Sequence, residues 1–151
     1  MEAHMNNLQA EEEVPLLCLL PLLQSLVRLA DTHKEYGLTK SQAIVMITLK
    51  YRESITMSEA AQYISSSKEQ ATRAVAALCD RGLVERFEQP QNRTHVFIRF
   101  TEEGSRFMEE FGNRLREQIS SRLSAKLSAE EIDTLRASLK TAVGLLNKVA
   151  G

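Results

Sequence analysis

Seven side chains in this sequence have types and spacing suited to binding nucleic acid: Ser66, Ser67, Lys68, Gln70, Thr72 and Arg73 in one short run, and Arg93 further along. Glutamine can pair bidentately with adenine and arginine or lysine with guanine, while serine and threonine hydroxyls reach base edges or phosphates. The same residue types also make an ordinary solvated helix face, so the elements that hold them must decide between the readings. The sequence has no Gly-rich phosphate loop, no G-x-S-x-G and no paired carboxylates in an apolar frame. Neither an enzyme nor a cofactor is therefore expected.

The positioning elements can be read from capping signals. Ser or Thr followed three residues later by Glu or Gln marks a helix start, because each side chain satisfies a backbone N–H of the other. The pattern occurs at Thr39-x-x-Gln42, Thr56-x-x-Glu59, Ser66-x-x-Glu69 and Ser128-x-x-Glu131. Gly37 and Gly82 fall where helices should stop. A helix from Thr56 to Ile64, a turn at Ser65-Ser66 and a helix from Ser67 to about Arg81 then make a helix-turn-helix. Its second helix carries Ala71, Ala74, Val75 and Leu78 inward and the polar run outward. Alternating stretches 83–87 and 94–100 predict two strands, with Val96, Ile98 and Phe100 on one face. The polar turn between them, Glu88 to Arg93, makes a wing with Arg93 at its tip, where an arginine can enter a narrow minor groove.

The flanks read differently. From Pro15 to Tyr36 leucines stand at 16, 17, 19, 20, 22, 23, 26 and 29, covering nearly the whole circumference of a helix that Pro21 should kink or split. A helix from Glu102 to Leu123 would be about 33 Å long, with Phe107, Phe111, Leu115 and Ile119 at a spacing of four. A last helix, Ala129 to Val149, has Ile132, Leu135, Leu139, Ala142, Val143 and Leu146 on one stripe. These surfaces want a partner, and a homodimer supplies one. The expected division is an acidic tail at 1–13, a helical dimerisation region at 14–36 and 105–151, and the winged helix-turn-helix at 37–104.

Net charge is -1, yet residues 68–99 hold six basic and four acidic side chains, a local +2 beside a tail with four glutamates. That distribution is compatible with DNA binding and too mild to establish it. The longest apolar stretch, Val14 to Leu23, is interrupted by two prolines and is about half of a membrane span. With no positive n-region ahead of it, the expected location is cytoplasmic. Cys18 and Cys79 stand far apart, and His4, His33 and His95 do not cluster with acidic groups, so no metal site is expected.

The run Ser67-Lys68-Glu69-Gln70-Ala71-Thr72-Arg73, followed by Leu78, Arg81-Gly82-Leu83-Val84-Glu85-Arg86, Pro90, Arg93 and Thr101-Glu102-Glu103-Gly104, resembles the MarR family of bacterial transcriptional regulators. The resemblance implies a mainly α fold, with winged helix-turn-helix domains joined through the terminal helices of a dimer. It also implies binding to palindromic double-stranded DNA, commonly as a repressor, with release by a small molecule or by oxidation of a cysteine. The lining it suggests for such an effector is His33, Tyr36, Met46 and Phe107. Cys18 lies where redox-sensing members carry their cysteine, but apolar neighbours offer its thiolate nothing. The family usually places a carboxylate two residues before the wing arginine, and this chain has Gln91 there. The competing readings are a winged-helix protein-interaction module and a redox sensor acting through Cys18.

Overall fold

The computed structural model describes residues 31–150, together with the helical positions Pro21 and Ser25. Of the first helix expected over Pro15 to Tyr36, the leucine-rich part, its proline kink and Cys18 otherwise lie outside the described residues. The described end of that span is a separate four-residue helix, α1 (Thr32–Glu35), with its own N-cap at Asp31, so the expected helix does not run continuously to Tyr36. There follow α2 (Lys40–Tyr51), β1 (Ile55–Thr56), α3 (Met57–Tyr63), α4 (Lys68–Asp80), β2 (Val84–Gln89), β3 (Asn92–Phe100), α5 (Glu102–Ser124) and α6 (Ala129–Ala150).

Capping fixes where these helices begin. At Thr39 the hydroxyl accepts from the Gln42 amide at 3.2 Å and the Gln42 side chain accepts from the Thr39 amide at 3.0 Å. Thr56 with Glu59 and Ser128 with Glu131 form the same reciprocal pair. The ends are closed by a repeated hydrogen-bond pattern with a left-handed residue in it. Gly37 (φ 66°) ends α1, with the Leu38 amide bonded to the His33 carbonyl. Gly82 (φ 70°) ends α4, with the Leu83 amide bonded to the Leu78 carbonyl. The turn between α3 and α4 uses the same device on a residue with a Cβ: Ser65 sits at φ 49°, and the Ser66 amide reaches back to the Ala61 carbonyl.

Three antiparallel strands form a sheet in the order β1-β3-β2. The two-residue strand β1 was not foreseen. Ile55 is fully buried and pairs with Ile98, tying the start of the helix-turn-helix to the wing. Around them the core gathers Leu38, Val45, Met46, Leu49, Val75, Leu78, Leu83, Val84 and, from α5, Met108 and Phe111. Two compact units result, one reaching Gly112 and the other beginning at Asn113. The core of the first therefore continues past Gly104 along α5. In the second unit α6 leaves Leu139, Val143, Leu145, Leu146 and Val149 exposed on its surface.

Candidate nucleic-acid interface

Helix α4 begins one residue later than the Ser66-x-x-Glu69 pattern predicts. Its N-cap is Ser67, whose hydroxyl accepts from the Gln70 amide at 3.2 Å. The reason lies in the preceding turn. Ser66 still closes α3 with its own amide, so the first residue free to take the extended cap conformation is Ser67 (φ -67°, ψ 158°). Ser66 itself is half-buried, its hydroxyl donating to the Ser67 carbonyl at 3.3 Å.

That shift of one residue changes what Gln70 can do. At α2, α3 and α6 the side chain three residues after the cap folds back onto the cap's amide. At α4 the cap forms only in the forward direction, and the exposed side-chain amide of Gln70 makes no hydrogen bond among the described residues. Lys68, Thr72 and Arg73 are exposed beside it, while Ala71, Ala74, Val75 and Leu78 are buried as expected. The Thr72 hydroxyl donates to the Lys68 carbonyl at 2.8 Å, which leaves its lone pairs and methyl group facing outward. Glu69 stands among these cations. Hydrogen bonds from its own backbone amide and from Ser67, with the nearby charges of Arg73 and Lys68, hold its carboxyl below the usual range. The start of α4 thus presents Lys68, Gln70 and Arg73 as outward donors with one fixed negative charge among them.

The wing also differs from expectation. Its strands run on to Gln89 and Asn92, so the turn is only Pro90-Gln91. Pairing steps from Glu88 with Val96 to Gln89 with Asn92. Arg93, Thr94 and His95 therefore lie in a bulge of β3, and Arg93 sits there rather than at the tip of a six-residue turn. A bulge frees backbone from the ladder and re-aims side chains. Within it Thr94 donates to the Asn92 side-chain oxygen at 2.7 Å, and the His95 Nδ1 stands 2.9 Å from the same atom. Arg93 is exposed, and its side chain makes no hydrogen bond or ion pair among the described residues. Further along, Arg99 is bonded through Nε to Glu85 at 2.7 Å and stacked 4.3 Å over the Phe87 ring, with its side chain still half exposed. Of the strand face expected from Val96, Ile98 and Phe100, only Ile98 is fully buried, and Val96 is 41% exposed.

The four positions suggested for an effector are packed. Met46 is in the core, His33 is 8% exposed, and Tyr36 meets Phe107 and Phe111 edge to face at 5.6 and 5.4 Å. Cys79 is a half-buried free thiol, pushed up from the ordinary range by burial. Two contributors escaped the sequence reading. Thr101 accepts from the Gly104 amide at the start of α5 and donates to the Gly82 carbonyl, and Arg81 bonds the Tyr36 and Gly37 carbonyls. The T-E-E-G run carried a signal for the first, since threonine three residues before the N3 amide is a cap; nothing local marks the second. Among the described residues no group of three or more His, Cys, Asp or Glu side chains could hold a metal, and no helix is long and apolar enough to cross a membrane.

Residues 38–96 match the sequence model of the MarR family. No curated protein matches the chain. Among solved structures, wild-type MarR from E. coli in its apo form superposes with a TM-score of 0.68 at 23% identity, over 82% of this chain and 96% of that one. A cysteine-to-serine mutant of MarR from E. coli complexed with operator DNA gives 0.62 at 26% identity, over 87% and 95%. NadR in complex with 4-hydroxyphenylacetate gives 0.66 at 20% identity, over 83% and 89%. The fold is the winged helix of these regulators.

Proposed function

We propose that this chain, whose residues 38–96 carry a MarR family domain, is a DNA-binding transcriptional regulator that acts as a homodimer on a two-fold symmetric duplex site in the cytoplasm. The observation that carries the reading is the half-formed cap of α4, which leaves Gln70 outward between Lys68 and Arg73. A helix N-terminus with free donors fits the major groove, and its amides and dipole favour phosphate. Arg93, unengaged in the wing bulge, supplies a second contact to the neighbouring groove or backbone. The MarR structure complexed with operator DNA supports this use of the fold. A site occupied in this way is closed to polymerase, so the expected effect is repression.

Surface chemistry supports the dimer. Helix α6 exposes Val143, Leu145 and Leu146 at 54, 57 and 47%, and the sequence adds a leucine-rich segment ahead of residue 31. A second copy would cover such apolar area and double the small basic footprint. NadR with its bound 4-hydroxyphenylacetate supports control by a small molecule. The test is duplex binding: the protein should select an inverted repeat from a random-sequence pool, with affinity falling linearly in log salt. Light scattering should give twice the 17.0 kDa chain mass. Salt-independent binding or none favours the protein-interaction module.

A further inference from the structure

Arg81 is the C-cap of α4, at the opposite end from the base-reading residues. Its guanidinium donates through Nη1 to the Gly37 carbonyl and through Nη2 to the Tyr36 carbonyl, each at 3.1 Å. These are carbonyls at the end of α1, where helix geometry leaves acceptors unpaired and the dipole favours a cation. The same guanidinium lies 5.1 Å from the centroid of Phe107, on α5. Tyr36 in turn packs edge to face on Phe107 and Phe111. One side chain therefore binds three elements of the compact unit that ends at Gly112.

We infer that Arg81 is a positioning residue for DNA recognition: its fork fixes the C-terminal end of α4 against α1 and α5 and so sets the angle at which Gln70 and Arg73 are presented. The inference rests on the proposed DNA-binding reading. Leverage makes the angle matter. From Gln70 to Arg81 the helix rises about 16 Å, so a swing of about 10° about the clamped end displaces the reading end by about 3 Å. Base-edge hydrogen bonds tolerate only a few tenths of that, whereas contacts to a regularly spaced phosphate backbone can be re-formed nearby. Lysine cannot replace the clamp, since an ammonium on a flexible stem lacks the planar two-point fork and the flat face that stacks on a ring.

Arg81→Lys and Arg81→Gln test the inference, using the duplex that the wild-type chain selects from a random pool and an unselected duplex, each titrated over a salt series. Both variants should lose about tenfold on the selected duplex, the effect of one charge-assisted hydrogen bond. Both should stay within about twofold on the unselected one, with the salt slope unchanged. Full rescue by lysine, equal losses on both duplexes, or a slope lowered by about one in Arg81→Gln would each overturn positioning; the last would make Arg81 a phosphate contact. Unchanged binding would leave Arg81 with no part in recognition and also overturn it. Amide hydrogen exchange separates this from failure of the DNA-binding reading. If the wild type binds no duplex, that reading falls, while the clamp still predicts faster exchange at Leu38 and Leu83 in Arg81→Lys. Unchanged exchange there refutes the clamp itself.

Discussion

Substituting alanine for Gly104 should be among the most damaging single-methyl changes in this chain, although alanine is the better helix former. Gly104 lies in the first turn of α5, and a Cβ built on it would stand 1.7 Å from the Leu83 carbonyl oxygen and 2.7 Å from the carbonyl carbon. Ordinary contact begins near 3.4 Å, so the helix start and the α4–β2 junction must separate by more than an ångström. That gap is bridged by the Thr101 amide donating to the Leu83 carbonyl at 3.2 Å and the Thr101 hydroxyl donating to the Gly82 carbonyl at 2.5 Å. Losing both bonds costs about 1–3 kcal/mol, and overpacking adds about 1–3 kcal/mol. The gain in helix propensity returns about 1 kcal/mol. A net loss of about 3 kcal/mol is expected, read in urea as a lower midpoint at unchanged m-value. Gly144, in α6, has nothing within 4 Å of its built Cβ. Gly144→Ala should therefore move stability the other way, by up to about 1 kcal/mol. A neutral or stabilising Gly104→Ala would show that the junction is not held as described.

Arg93→Ala should weaken duplex binding on any sequence and lower the salt slope by about one; an unchanged slope takes the wing out of the interface. Gln70→Ala should cost about 1–3 kcal/mol on the selected duplex and much less on an unselected one, and equal losses would mean that Gln70 reads no base. Ser65→Gly should stabilise the fold by about 1 kcal/mol, because the left-handed backbone at this position penalises a Cβ; a loss in thermal melts would refute that strain. Glu69→Gln removes the fixed carboxylate from among the cations at the start of α4. Binding to unselected duplex should rise more than binding to the selected one, and a uniform rise would show that the charge only weakens affinity.

What the sequence made legible were features whose cause is local. A hydroxyl three residues from a carboxylate or amide, a glycine after an apolar stripe and an inward row of Ala71, Ala74, Val75 and Leu78 each carry their own physics, and apart from the cap at α4 they stand where expected. The misplaced cap at α4 arose because three consecutive serines offer the same chemistry. Only the hydrogen bond from the Ser66 amide to the Ala61 carbonyl decides that Ser67 takes the role. The wing was misjudged for a related reason. Polar residues from Glu88 to Arg93 read as a turn, but extended pairing with a bulge satisfies the backbone while keeping most of those side chains in solvent. β1 is too short to show alternation. Arg81 is legible to no local rule, because its partners lie 44 and 45 residues away. Leucine spacing made a partner surface an expectation, and within the described residues Leu139, Val143 and Leu146 of that last-helix stripe are exposed.

In the proposed DNA-binding reading, charge explains why specificity would rest on few residues. Within 68–99 the excess of basic over acidic side chains is only two, and two of the six cations are tied to other groups of the protein. Arg99 is held by Glu85 and Phe87, and Arg81 by the end of α1. The cations left outward in that stretch are Lys68, Arg73, Arg86 and Arg93, with the Glu69 carboxylate standing beside the first two. A face with so small a surplus gains little from phosphate neutralisation alone, since non-specific affinity grows with the number of counterions released. Discrimination then falls on base-edge contacts, where Gln70 is the neutral donor and acceptor pair. In the proposed DNA-binding reading the engagement of Arg81 and Arg99 is therefore part of recognition: each guanidinium tied to protein acceptors is less free to meet phosphate, and the one at the end of α4 also holds the helix that reads the rest.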